Sequence, residues 1–152
     1  MQNYLKSQTR LAFIQYIFHM EFFKSNSFQN AEEFEKNFYN TNIAAIGEKK
    51  EFKLKFNKNF FKKLSDNYLQ NFYKDEIIKK LNKYIKLERK FEKWNGVLQS
   101  LTFAILSELE IADKKKIKIL LNDYINISKT LVTSKETKLL NAIIQKFLDE
   151  KE

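Results

Sequence analysis

No proline interrupts this chain, and its only glycines are Gly47 and Gly96. Few folds tolerate so little turn chemistry. A β-sandwich needs a turn signal about every 8–12 residues, so that class is disfavoured. Collagen-like, proline-rich and Gly/Ser-linker classes are excluded on the same ground. What remains is a chain of helices. At 152 residues it amounts to one domain, since roughly 100–200 residues make one.

The apolar spacing agrees. Leu5, Ala12, Phe13, Tyr16, Ile17, Met20 and Phe23 recur at helical steps and form one face of a first helix. Lys6 and Arg10 lie off that stripe, four residues apart. Asn26-Ser27 breaks the pattern. Asn30, with Glu33 three residues on, reads as the capped start of a second helix carrying Phe34 and Phe38 and ending near Gly47. Glu48–Lys58 reads as an exposed connection. A third helix is predicted over Phe60–Phe72, with Phe61, Leu64, Tyr68 and Phe72 aligned. Asp75 is placed as the cap of a fourth, with Ile77, Ile78, Leu81, Tyr84 and Ile85 inward. Lys86–Lys93 reads as a polar connection. Leu98, Leu101, Ile105 and Leu109 mark a fifth helix. Asp113 is placed as the cap of a sixth, bearing Leu120, Leu121, Tyr124 and Ile127. Ser134 opens a seventh, with Glu136 in its first turn and Leu140, Ile143, Ile144 and Phe147 on one face. About seven amphipathic helices without a fixed repeat predict a compact all-α bundle. Most of the 15 phenylalanines are therefore read as core.

Catalysis has little to work with. Without cysteine there is no thiolate zinc site, disulfide framework or thiol nucleophile. His19 is the only histidine, which excludes any centre needing two imidazoles, and it is placed on a helix surface. Two distant glycines cannot build a phosphate-cradling loop. Glu32-Glu33-Glu35, Asp75-Glu76 and Glu108-Glu110 are read as solvated helix faces rather than acid–base pairs. No catalytic residue, metal or cofactor is expected.

Charge is more informative. The chain carries 28 basic and 19 acidic residues, a formal charge of +9. Residues 48–93 hold 15 basic and 7 acidic groups, net +8. A basic excess is the electrostatic signature of nucleic-acid binding. AT-rich codon usage would also enrich lysine, and only Arg10 and Arg89 are arginine. The middle lysines, from Lys49, Lys50, Lys53, Lys55 and Lys58 through Lys62 and Lys63 to Lys79, Lys80 and Lys83, are read as solvated surface. No stretch approaches the about 18–20 continuous apolar residues of a membrane span. No small-residue cleavage site follows Leu11–Ile14, so a cytoplasmic location is expected.

Four blocks, Ser7–Glu21, Leu106–Leu109, Lys118–Lys129 and Lys138–Gln145, resemble the bacterial transcription antitermination factor NusB family. Ser7–Glu21 is similar to that family's opening helix, A-R-x-x-A-x-Q-A-L-Y, with Arg10, Ala12 and Gln15 on matching positions and Phe18 where the family has tyrosine. Leu106-Ser107-Glu108-Leu109 is similar to A-x-Y-E-L. Lys118–Lys129 resembles K-V-A-I-N-E-A-I-E-L-A-K through Asn122, Asp123, Ile125 and Lys129. Lys138–Gln145 resembles K-F-V-N-G-V-L-D.

The resemblance implies a single all-helical domain of two packed subdomains, with helical halves at about 1–85 and 94–152. It implies a non-catalytic factor in the transcription elongation complex. Such a factor pairs with the small-subunit ribosomal protein NusE and binds boxA RNA in ribosomal RNA leader transcripts; homodimers occur in the family. It carries RNA binding onto Lys6, Arg10, Lys135, Lys138 and Leu139, and partner contact onto Phe18. The N-terminus of the last helix would add backbone N–H groups for a phosphate. The family's further arginines before Arg10 are missing here. Lysine lacks arginine's planar fork, so weaker or less selective RNA binding is expected. Asn122 and Asn141 are expected to bond between helices. Two other readings compete: a helical protein-interaction module without RNA, and an RNA-recognition module acting with a ribosomal RNA methyltransferase.

Overall fold

The computed structural model describes residues 3–23, 31–39, 42–44, 51–53, 55–85 and 89–150. Seven α-helices occur among them: α1 (Asn3–Phe22), α2 (Ala31–Phe38), α3 (Lys58–Asn71), α4 (Lys74–Tyr84), α5 (Gly96–Leu109), α6 (Ile117–Leu131) and α7 (Ser134–Glu150). The fold is all-α apart from one short antiparallel pair, β1 (Asn42–Ala44) with β2 (Glu51–Lys53), in which Ile43 faces Phe52. The chain divides into two compact units, residues 1–66 and 67–152.

In the first unit an aromatic core forms around α1. Ala12, Phe13, Tyr16 and Ile17 are fully buried, as their spacing predicts. Tyr16 meets Phe34 of α2 and Phe61 of α3 edge-on at 5.6 and 5.7 Å between ring centroids, and Phe34 stacks on Phe61 at 5.5 Å. Edge-to-face pairs add about 0.5–1.5 kcal/mol each beyond burial. α2 ends at Phe38, short of the expected stop, and strand β1 takes over within four residues. The sequence Asn40-Thr41-Asn42-Ile43 explains the early end, since Asn and Thr are poor helix formers and Thr and Ile favour strands. Asn30 and Gly47 lie outside the described residues. Within the expected exposed connection, Phe56 is instead core, 5.1 Å from Phe61. The next residue, Asn57, caps α3 by accepting from Phe60 N at 2.8 Å. That cap moves the helix start ahead of Phe60.

In the second unit α5 is the axis. Every residue from Leu98 to Glu108 is buried, and α5 touches both α6 and α7. A helix apolar on nearly all sides belongs at a centre. Its polar side chains bond inward: Ser100 to Gly96 O at 2.8 Å and Thr102 to Leu98 O at 2.8 Å. The expected polar connection after α4 contains a 3-10 turn, Phe91–Lys93, whose Phe91 is fully buried against Phe103. Asn82 holds this turn, accepting from Phe91 N at 2.9 Å and donating to Glu92 Oε1 at 2.7 Å. Asp75 sits in the first turn of α4 rather than at its cap, which Tyr73 occupies. There Asp75 and Glu76 complement the helix dipole. Asp113 accepts from Lys115 N at 3.2 Å, but it caps a 3-10 turn, Lys114–Lys116, that leads into α6.

Candidate nucleic-acid interface

The residues singled out for RNA divide between the two units. Lys6 and Arg10 lie on α1, and Lys135, Lys138 and Leu139 lie in the first turns of α7.

Lys6 is half-buried. Arg10, although off the apolar stripe, is 7% exposed, with its guanidinium carbon 5.5 Å from the centroid of Phe60. A delocalised, weakly hydrated cation tolerates that position where lysine would not. Its neighbour Thr9 is fully buried; the hydroxyl donates to Leu5 O at 2.6 Å and accepts from Asn57 N at 2.9 Å. The polar side of α1 is thus packed onto the start of α3, because Thr9 and Asn57 satisfy each other's polar groups there.

At α7 the opening turn is a reciprocal capping box. Thr133 N donates to Glu136 Oε1 at 3.0 Å, and Glu136 N donates to Thr133 Oγ1 at 3.1 Å. The amide of Asn95, which itself caps α5 by accepting from Leu98 N at 2.8 Å, donates to the other Glu136 oxygen. The hydrogen bond from Thr133 N–H, before any other influence, holds the Glu136 carboxyl below the usual carboxylate range. The anion at this helix end is therefore the chain's own, and one of the N–H groups expected to receive a phosphate, that of Glu136, is already engaged. Lys135 and Lys138 are exposed, and Leu139 is half-buried. Among the described residues neither lysine forms an ion pair.

Phe18 is half-buried and belongs to an aromatic cluster at the end of α1. Its ring lies 5.7 Å from those of both Phe22 and Phe23, which are 38% and 43% exposed. His19, expected at the surface, is half-buried and stacks on Phe23 at 4.5 Å; burial lowers its pKa. Phe22 escaped the sequence reading and His19 was placed at the surface because both lie off the main apolar stripe. Their signal was a local run of aromatics, Phe18-His19 and Phe22-Phe23.

Glu108 is 4% exposed and accepts from Tyr124 Oη at 2.7 Å, so it is a packing carboxylate rather than part of a solvated face. Asn122 and Asn141 are exposed. Bonds between elements come instead from Asn67, which donates to Ser107 O at 3.0 Å, and from Asn95. Among the middle lysines, Lys58 pairs with Glu35 at 3.6 Å and lies over Tyr39, and Lys62 pairs with Asp66 at 2.6 Å. Among the described residues no three acidic or histidine side chains come together to hold a metal ion. No described helix is long and apolar enough to cross a membrane.

A family model described as NusB family matches residues 7–149. No curated protein and no solved structure matches.

Proposed function

This chain belongs to the NusB family, a family of non-catalytic transcription antitermination and RNA-binding factors, and from that premise we propose that it pairs with the ribosomal protein NusE and binds boxA-type RNA in ribosomal RNA leader transcripts. One observation carries the RNA reading. The first two turns of α7 present Lys135 and Lys138 to solvent while their only carboxylate, Glu136, is engaged in the capping box. A helix opening normally gathers acidic groups; here the acidic group is consumed internally and the outward charge is positive. Lys6 adds a cation on α1, and Leu139 adds apolar surface beside Lys138. Arg10 contributes a guanidinium pre-oriented by Phe60. Phe18, with Phe22 and Phe23, offers the aromatic surface for NusE.

The test is fluorescence anisotropy of a labelled boxA-like RNA, with this chain alone and with NusE, across a salt titration. The pair is expected to bind more tightly than the chain alone, with affinity falling as salt rises. Absence of binding at low salt even with NusE present would replace this reading by that of a helical protein-interaction module.

A further inference from the structure

The outward face of α6 carries cations that neither folding nor the α7 corner accounts for. Lys118, Ile119, Asn122, Asn126 and Lys129 are all exposed. At 3.6 residues per turn they share an arc of about 100°. From Lys118 to Lys129 the face runs about 17 Å, at about 1.5 Å per residue. Just before it, Lys114, Lys115 and Lys116 are exposed as well.

Two features separate this face from ordinary lysine-rich surface. The first is that its charge is uncompensated. Lysines on α3 and at its start sit beside acids, as in Lys62–Asp66 and Lys58–Glu35, whereas the arc on α6 contains no carboxylate. Asp113 is occupied in its cap, accepting from Lys115 N, and Asp123 lies at the margin of the arc. Moreover, Lys114–Lys118 crowd the N-terminal end of α6, where the helix dipole is positive and cations are unfavourable by about 0.3–1 kcal/mol each. Local stability would put acids there.

The second feature is Ile119, a large aliphatic side chain 66% exposed among lysines and asparagine amides. Ammonium groups suit phosphates, amides suit base edges, and an exposed apolar side chain suits an unstacked base. The C-terminal end of the same face leads through Val132 and Thr133 into the turn that presents Lys135 and Lys138.

We infer that the outward face of α6, with the lysine turn before it, is a second RNA track that takes the phosphate backbone of the single strand beyond the segment held at the α6–α7 corner. This rests on the reading of the chain as an RNA-binding factor. It adds that the footprint continues along α6 and that this part of it recognises backbone more than sequence.

The experiment compares two matched charge deletions on exposed lysines, K115Q/K116Q/K118Q on the track and K79Q/K80Q/K83Q on α4. Each is titrated against a short boxA-like RNA and against the same RNA extended by about ten nucleotides at either end in turn. Circular dichroism melts check that both variants fold. For the extended RNA, the track variant is expected to lower the slope of log affinity against log salt by about 2, at about 0.7 per lost single-strand contact. The α4 variant is expected to leave it near the wild-type value, and the short RNA is expected to distinguish the two variants little. If the wild type binds both RNAs but the two variants behave alike on both extensions, the track is wrong and the α7 reading stands. If the wild type binds no RNA, both fall.

Discussion

The side-chain amide of Asn95 donates to the carboxylate of Glu136, so the cap of α5 and the capping box of α7 form one hydrogen-bonded unit. Two helix ends share a single anion, whose carboxyl the Thr133 N–H hydrogen bond, ahead of the Asn95 amide, holds below the usual carboxylate range.

Asn95→Ala removes a cap and leaves Glu136 with one donor fewer. We expect a loss of about 0.5–2 kcal/mol, the usual range for deleting an N-cap, measured by urea denaturation at pH 7. The pH dependence has a definite sign. Glu136 has a lowered pKa in the folded chain, so its contribution is present above the ordinary carboxylate pKa and fades as pH falls through the folded value. Glu136→Gln should therefore narrow its stability gap to wild type as the pH is brought from 7 towards 3. A constant gap would show that the carboxylate charge contributes nothing.

Tyr16 gives a prediction of opposite sign. Its ring is fully buried, but among the described residues its hydroxyl has no hydrogen-bond partner. Burial, ahead of the nearby Asp66 and Glu21 charges, pushes the phenol up to about 12. An unpaired buried hydroxyl costs about 1–3 kcal/mol. Tyr16→Phe, which keeps the aromatic contacts, is therefore expected to raise the melting temperature or leave it unchanged. Because the folded pKa exceeds the ordinary 10.0, the wild type also loses stability as pH climbs from about 10 through the folded value. The phenylalanine variant should lose less over that window in urea melts.

The reverse applies to Tyr124, whose hydroxyl serves the buried Glu108. Tyr124→Phe takes a donor from a carboxylate in the core and should cost about 1–3 kcal/mol, read from a urea midpoint. RNA affinity of the folded variant should not change.

These cases mark what spacing can reveal. Apolar periodicity located Phe13, Tyr16, Leu101 and Leu140 in the core, because burial of a hydrocarbon depends only on the face it occupies. It did not reveal that Arg10, Glu108 and Asn67 are buried. A polar group goes inside only when a partner meets it, and the partners Phe60, Tyr124 and Ser107 lie far along the chain. Phe56 and Phe91 were missed for a related reason. Phe91 is the single aromatic of Lys86–Lys93, a charged segment too short to show a period, and Phe56 shares Glu48–Lys58 with Phe52 and Leu54 among five lysines. For the candidate interface, Lys135 and Lys138 were singled out by the family resemblance, but the capping box that engages Glu136 between them needed coordinates.

On the proposed reading, the aromatic ridge at the end of α1 serves NusE and not the RNA. Phe18→Ala, with Phe22 and Phe23 left in place, should weaken association with NusE by calorimetry while leaving the anisotropy of RNA with the chain alone unchanged. Phe18→Tyr should preserve it, since the aromatic surface is retained and a hydroxyl is added at a half-buried position. Equal loss in both assays would mean that Phe18 acts only by packing against Phe22 and Phe23.

Arg10 and the α7 lysines should fail in different ways. Lys135→Ala with Lys138→Ala removes two exposed cations. Melting should barely move, while the salt slope for RNA binding should fall by about 1.4, at about 0.7 per single-strand phosphate contact. Arg10→Ala removes a buried side chain packed over Phe60, so stability should fall together with affinity. The cation–π contact alone is worth about 0.5–2 kcal/mol, and the lost stem adds to it. Arg10→Lys should recover little of either, because an ammonium is more strongly hydrated and cannot lie flat over a ring. Salt dependence and thermal melts measured on the same preparations distinguish the two mechanisms. If Arg10→Ala left the melt untouched and lowered only the salt slope, the guanidinium would be acting as a free surface cation and its seat on Phe60 would have no energetic weight.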